Sequence, residues 1–480
     1  MKKLGWALIL IIWLVLVIIA HGEEAQERVE TRQESAAVQI KDSELYAQAA
    51  VLMDAQSGRV LYGKNPDQIL AMASTTKIMT CILALEKADL SESVEISGYA
   101  SGMPKVKLGV RKGETYPLKD LLYSLMLESH NDVAVAIAEH IGKQYLSEEM
   151  RQKSAAEFTE AESREAVAAF AGLMNEKAAE LDCRNTWFIT PNGLDAEETL
   201  QQENGEVLQK FHATTATELA RIMSYCILGS PKAKEFLQIT GAATHSFSAN
   251  GRSFACYNHN AFLNMMASAI SGKTGFTNRA GYCYVGALED QGRSFVVALL
   301  ACGWPYNKTY KWSDTRKLME YGMENYFYRS FLDEETIFDK KWLEPISVQN
   351  GQTNVLGEKA YVQVEVKNVG EGTEKTAEDV ENVVGSDDMQ LQGLLMKAGE
   401  KIQVQYEQEK TLTAPVEEGT VVGSVRYMVE GITYRTEEII TADSVQKITW
   451  QWCLEQIWQR FLIGKREVMN EKPLYISCFF

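Results

Sequence analysis

The sequence is short of positive charge and lacks the patterns that hold metals or nucleotides. Its 65 acidic residues outnumber 48 lysines and arginines, leaving a formal charge of −17. That balance disfavours nucleic acid as a partner, and simple polybasic attachment to anionic lipid with it. Eight cysteines, at positions 81, 183, 226, 256, 283, 302, 453 and 478, form no C-x-x-C pair and no metal-ligand spacing. They are expected as small core residues, with no pairing assigned. Neither a dinucleotide fingerprint nor a phosphate loop occurs, and no metal or other cofactor is expected. An apolar share of 46% with 24% charged residues excludes wholesale disorder. At 480 residues the chain exceeds one ordinary domain, so two or three units are expected.

What is present begins with an export signal. Lys2 and Lys3 precede an unbroken apolar run, Leu4 to Ala20, and Ala20-His21-Gly22 offers small residues for cleavage. A cleaved signal over residues 1–22 is the expectation, with a retained N-terminal anchor as the alternative. Either places the remainder outside the cytoplasm, where disulfides are permitted.

Residues 23–43 read as a polar linker, and a catalytic domain is expected over 44–335. Ala49–Asp54 and Arg59–Tyr62 flank the Ser57-Gly58 turn as a hairpin. Helical stretches follow, notably Thr75–Ala88 and Leu118–Ile141. A charged stretch from Ser147 to Glu165 reads as a surface excursion joined to a helix over Ala166–Leu181. Strands over Ala280–Leu288 and Ser294–Ala301 pair across a short turn, and a helix over Thr315–Tyr326 closes the domain. The expected fold class is α/β (α+β): an antiparallel sheet with helices. Over 338–442 strict alternation, as in Tyr361–Val366 and Ile402–Tyr406, predicts a small all-β domain of about 100 residues. Within it Glu430-Gly431 marks a hairpin between Val421–Val429 and Ile432–Ile440. Over 444–463 apolar residues including Trp450, Leu454, Ile457, Trp458 and Phe461 recur at helical spacing, although Trp452 breaks the pattern. This amphipathic helix is expected either at a membrane surface, which its tryptophans favour, or packed on the β domain.

Three short elements carry the chemistry: Ser74-Thr75-Thr76-Lys77, Ser129-His130-Asn131 and Lys273-Thr274-Gly275. In a helix, residues three apart share a face, so Lys77 can meet the hydroxyl of Ser74. Serine is a poor nucleophile until a base takes its proton, and a lysine serves only when burial and nearby cations depress its pKa. The apolar run Ile78–Leu83 predicts that this helix is central and buried. Ser129 would supply a proton relay, and Asn131 an amide that orients substrate and lysine. Lys273, Thr274 and Gly275 on an edge strand would offer a cation and a hydroxyl to a carboxylate, with Gly275 admitting a substrate backbone. Ser-x-x-Lys alone is weak, since about two chance hits are expected in such a chain. Ser444-Val445-Gln446-Lys447 is a second occurrence, and Ser248-Ala249-Asn250 repeats the middle element. Order, spacing and context set the first three apart.

On those motifs the chain resembles the D-alanyl-D-alanine carboxypeptidase family of low-molecular-mass penicillin-binding proteins, peptidase family S11. Val51–Gly58, Met72–Thr80, Asn131-Asp132, Thr190–Asp195, His212–Ala216, Lys273–Thr277 with Ala280-Gly281, and Ala414–Gly419 are similar to family segments. The resemblance spans roughly residues 45 to 440. It implies a serine β-lactamase/penicillin-binding-protein-like catalytic domain, followed by the β domain and the terminal helix. It further implies that Ser74 attacks the carbonyl between two terminal D-alanines of a peptidoglycan stem peptide. Water would then hydrolyse the acyl-enzyme. By the same resemblance the backbone N–H groups of Ser74 and Phe276 form the oxyanion hole. Lys273, Thr274 and Thr277 bind the terminal carboxylate, and β-lactam antibiotics acylate Ser74. The implied location is the extracytoplasmic face of the bacterial membrane or the cell wall.

His130 stands where the family usually has a small residue. It is expected as a packed or surface residue, with a place lining the cleft beside the lysine as the alternative. A class A-like β-lactamase would need a deacylating glutamate in a Glu-x-x-Leu-Asn segment. None lies between Asn131 and Lys273. A DD-endopeptidase shares the chemistry and stays open as a rival, as does an inactive penicillin-binding scaffold.

Overall fold

The computed structural model describes residues 39–201, 205, 207–331, 338–355, 357–367 and 391–468. The signal over 1–22, most of the linker and Cys478 lie outside the described residues. The chain divides into two units, one running to Tyr328 and taking in Leu394–Ala398, the other beginning at Arg329.

The first unit is organised by strand β1 (Ala49–Asp54), which is buried along its whole length. A strand with both faces covered must be apolar at successive positions, and its residues alternate between two cores. Ala49, Val51 and Met53 enter one cluster, while Ala50 and Leu52 enter the other. Around it lie β2 (Val60–Lys64), β3 (Ala269–Thr277), β4 (Gly281–Asp290) and β5 (Arg293–Leu300), in the sheet order β3-β4-β5-β1-β2 with every pairing antiparallel. This is the α+β class expected, and it leaves β3 on an edge.

Helices cover both faces. On one lie α1 (Lys77–Lys87), α2 (Leu118–Leu127) and α3 (Asn131–Gly142), with nine successive residues of α1 buried, Lys77 to Leu85. On the other lies the helix Tyr310–Asn325, through Leu318, Met319 and Tyr321. Six cysteines are buried and free, and Cys453 is free and half-buried.

The closing helix starts at Tyr310, five residues before the expected Thr315, and ends at Asn325, and two further helical expectations change. The stretch Leu118–Ile141 is two helices, because Ser129 adopts a left-handed φ of 65° and His130 is extended. The charged stretch is a helix from Glu160, earlier than expected: α4 (Glu160–Glu180) opens on a reciprocal capping box between Thr159 and Glu162. The excursion that remains is anchored. Met150, Ala155 and Phe158 form a small core with Ala166, and the Glu95 carboxylate accepts from Ser154 Oγ and the Ala155 N–H.

The second unit contains a three-stranded and a four-stranded sheet, the latter built on the antiparallel pair Val421–Val429 and Ile432–Thr441. Tyr361–Val366 is split at Gln363 into two short strands, one in each sheet. The Ser444–Lys447 segment joins this unit by bridges to Val416 and Gly351, and the Ser444 Oγ accepts from the Glu418 N–H. The terminal helix α5 runs Trp450–Val468.

The tightest helix contact is at Gly142, where a Cβ would fall 2.0 Å from the carbonyl oxygen of Ala166. Gly142→Ala should destabilise the fold by about 2–3 kcal/mol through overpacking. Gly172→Ala, in α4 with open space around it, should stabilise by about 0.5–1 kcal/mol. Thermal melts followed by circular dichroism should therefore shift in opposite directions, and a common shift would contradict this packing.

Candidate active site

The reactive turn is short. Residues Ala73–Thr76 form a 3₁₀ turn that runs directly into α1, bringing Ser74 and Lys77 together. The Lys77 Nζ lies 2.9 Å from Ser74 Oγ, 3.0 Å from Asn131 Oδ1 and 2.5 Å from the Asn192 carbonyl oxygen. An uncharged amine has two N–H donors and one lone pair. With its donors on the two amide oxygens, the uncharged amine would have its lone pair left for the serine hydroxyl. Burial above all, and the positive charge of Lys273 next, push the Lys77 pKa well below its ordinary value, against an opposing pull from Asp132. Geometry and electrostatics both equip this amine to accept the proton of Ser74.

Asn131 is fixed by its neighbours. Its Nδ2 donates to the Lys105 carbonyl at 3.3 Å, and its backbone N–H to Val106 at 2.8 Å. That leaves Oδ1 for Lys77. Asp132 extends the stitching, accepting from the N–H groups of Leu108, Gly109 and Val110. Ser129 and Asn131 line the cleft. His130, between them, is buried, with Nδ1 2.7 Å from Ser124 Oγ. It is a packed residue, and burial lowers its pKa.

Strand β3 supplies the facing wall with Thr274, Gly275, Phe276 and Thr277. Lys273 lies behind it, buried, donating to the Thr274 carbonyl at 2.9 Å, and burial brings its pKa down to about 7. Gly275 has a reason that the sequence does not display. A Cβ there would lie 2.8 Å from the Ser74 nitrogen and 3.1 Å from the Met72 carbonyl oxygen. The residue is glycine so that the strand can press against the Ser74 turn itself. Thr277 Oγ1 donates to Asp195 Oδ1 at 3.0 Å.

The cleft, about 620 Å³, brings Ser74, Ser129, Asn131 and Thr274–Thr277 together with residues the motifs did not mark. Lys308, Lys311 and Trp312 close one side. Lys311 Nζ sits over the rings of Tyr282 and Trp312 at 4.7 and 4.8 Å, and burial lowers its pKa to about 8. Glu128 and His259 pair at 2.7 Å elsewhere on the wall. Asn192 and Gly193 were legible only as part of a family-like segment. The Asn-Gly pair signals a turn, but a backbone carbonyl acting as acceptor leaves no side-chain trace. The repeated Ser248-Ala249-Asn250 lies in the exposed hairpin of Thr244–Ala249 with Arg252–Tyr257. Among the described residues no group of three or more His, Cys, Asp or Glu could hold a metal ion.

Gly193 has φ +82°, and a Cβ there would fall 2.0 Å from the Ala73 carbonyl oxygen. Gly193→Ala should push Asn192 away from Lys77 and slow acylation of Ser74 by a fluorescent penicillin about 100-fold or more. An unchanged acylation rate would show that this contact does not govern the site.

The comparisons with known proteins agree with the fold. The family model described as D-alanyl-D-alanine carboxypeptidase, peptidase S11, matches residues 33–158 and 161–301, and that of the penicillin-binding protein 5 C-terminal domain matches 363–447. A D-alanyl-D-alanine carboxypeptidase of Mycobacterium tuberculosis is 30% identical over 255 residues, covering 53% of this chain and 74% of that one. Another, from Bacillus subtilis, is 28% identical over 286 residues, covering 58% of this chain and 63% of that one, so the match spans less than two thirds of its length. The solved structure of penicillin-binding protein 5 from Haemophilus influenzae shares the fold, with a TM-score of 0.58 at 22% identity, over 85% of this chain and all of that one. Matched over more than half of its length on a scaffold of this kind, the chain belongs to the D-alanyl-D-alanine carboxypeptidase family of serine peptidases, peptidase family S11.

Proposed function

We infer that this chain is a serine-type D-alanyl-D-alanine carboxypeptidase that removes the terminal D-alanine from peptidoglycan stem pentapeptides and is acylated by β-lactams. The observation that carries the reading is the 2.9 Å contact of Ser74 Oγ with a buried Lys77 amine that also meets Asn131 Oδ1 and the Asn192 carbonyl. Lys77 takes the hydroxyl proton as Ser74 attacks the carbonyl between the two D-alanines. The backbone N–H groups of Ser74 and Phe276 receive the oxyanion. Ser129 relays the proton to the leaving D-alanine amine, and Asn131 holds both lysine and substrate. Lys273, Thr274 and Thr277 take the terminal carboxylate. Water then releases the shortened peptide, slowly for a penicilloyl adduct, because no Glu-x-x-Leu-Asn segment lies between Asn131 and Lys273.

The proposed place of action is the extracytoplasmic face of the membrane or the cell wall, after export on the signal over residues 1–22. The proposed division is a catalytic domain over 44–335, a β domain over 338–442 and an amphipathic helix over 444–463. Among the described residues no helix is long and apolar enough to cross a membrane. Helix α5, however, exposes Trp450, Leu454, Ile457 and Trp458, which suits an interfacial contact with lipid. With the N-terminus mapped and any anchor there removed, deletion of 444–480 should move the protein out of the membrane fraction. An unchanged fraction would count against the helix.

Mass spectrometry of a pentapeptide ending in D-alanyl-D-alanine is the direct test. Wild type should release one alanine, and Ser74→Ala none. An intact pentapeptide alongside cleavage of a cross-linked dimer would make the protein an endopeptidase instead.

A further inference from the structure

His212 is buried and touches neither the cleft nor the reacting atoms, yet it joins the two segments that do the chemistry. Its Nδ1 accepts the N–H of Ile189 at 2.9 Å and that of Thr190 at 3.3 Å. A nitrogen that accepts from two backbone amides carries no proton, so the proton of the neutral ring is on Nε2. Nε2 lies 2.8 Å from Thr76 Oγ1, and the Thr76 hydroxyl donates in turn to the Ala73 carbonyl at 2.8 Å. The run of donors is thus fixed in one direction, from ring to threonine to the backbone carbonyl just before the nucleophile. The ring is held by an edge-on contact with Phe188, and its backbone N–H donates to Ala196 at 2.9 Å.

These bonds matter because of where the two segments lead. Ile189 and Thr190 open the stretch that reaches Asn192, whose carbonyl meets Lys77 Nζ at 2.5 Å and Ser74 Oγ at 3.3 Å. Thr76 and Ala73 flank Ser74. A second tie, from Thr80 Oγ1 to the Pro191 carbonyl at 2.7 Å, acts further along the same seam. Resting on the acyl-enzyme reading above, we propose that His212 is a positioning residue that sets the spacing between the Ser74–Lys77 turn and the Asn192 carbonyl. Protonation of Nδ1 would turn it against two amide donors. Burial, and then the charge of Lys77, hold the ring neutral down to a pH of about 3, so the spacer keeps one tautomer throughout the working range.

The test uses the full chain with His212→Asn, Thr76→Val, the double variant, and Thr76→Ser. Active-site titration with a fluorescent penicillin counts the folded, reactive serines, and steady-state release of D-alanine gives kcat and KM per reactive serine. His212→Asn and Thr76→Val should each lower kcat about 10- to 100-fold with KM within about twofold, since small misplacements of reacting groups cost rate more than binding. The double variant should be no slower than the slower single one, because both break one chain of bonds. Thr76→Ser, which keeps the hydroxyl, should restore most of the rate. Wild-type kcat per reactive serine, a loss confined to the number of reactive serines, or multiplicative losses in the double variant would overturn the proposal. Should His212→Asn fail to fold, Thr76→Val decides alone. A wild-type chain that neither binds penicillin nor releases alanine would overturn the acyl-enzyme reading itself.

Discussion

A lysine in water keeps its proton to a pH of about 10.4, so it takes one from serine only where its charged form has been made costly. At Lys77 that cost comes from complete burial and from a second buried lysine, Lys273, acting on the same small volume. The arrangement creates an obligation. A buried neutral amine still has two N–H donors, and leaving either unmet costs about 1–3 kcal/mol. Asn131 Oδ1 and the Asn192 carbonyl meet them, and the lone pair is left to the serine.

Much of the catalytic unit follows from meeting that obligation within one turn of Ser74. Asn131 must start a helix, so the chain breaks between α2 and α3, with Ser129 in a left-handed conformation. Ala73, the residue before Ser74, is also left-handed, at φ 48°. Non-glycine residues in that region cost about 1–3 kcal/mol each, and at Ala73 the close approach of strand β3 leaves the turn no room to relax. Two glycines record the closeness. Gly193 packs on the Ala73 carbonyl and Gly275 on the Ser74 nitrogen, each at a distance that no side chain survives. Edge position matters as well, since among the described residues β3 has its hydrogen-bonded neighbour strand β4 on one side only.

The sequence displayed the side-chain half of this site and concealed the backbone half. Ser74, Lys77, Asn131 and Lys273 were legible because their order and spacing are improbable together. The β1–β2 hairpin and the β4–β5 pair were legible from short apolar runs flanking turn residues. The Asn192 carbonyl was not, because every residue carries one. Gly275 was legible as a close approach, but its partner is the nucleophile's own backbone. The break at Ser129 was hidden by helical patterning on both sides of it. The start of α4 was in plain view as Thr159-x-x-Glu162, but the density of charge there suggested a loop. Lys308 and Lys311 belong to the cleft only through tertiary folding, and no local pattern announces it.

The central claim is that Ser74 is activated by an uncharged Lys77, and the pH dependence of single-turnover acylation by a β-lactam tests it most directly. A lysine whose pKa is held well below its ordinary value is unprotonated at pH values where a free lysine is charged, and it loses its function as falling pH protonates it. The acylation rate constant should therefore decline on the acid side as Lys77 is protonated, reach its maximum well below a pH of about 10.4, and fall again on the alkaline side as Lys273 loses the charge that holds the carboxylate. A rate that keeps climbing tenfold per pH unit toward about 10.4 would mean that Lys77 is an ordinary charged lysine, and would contradict the account.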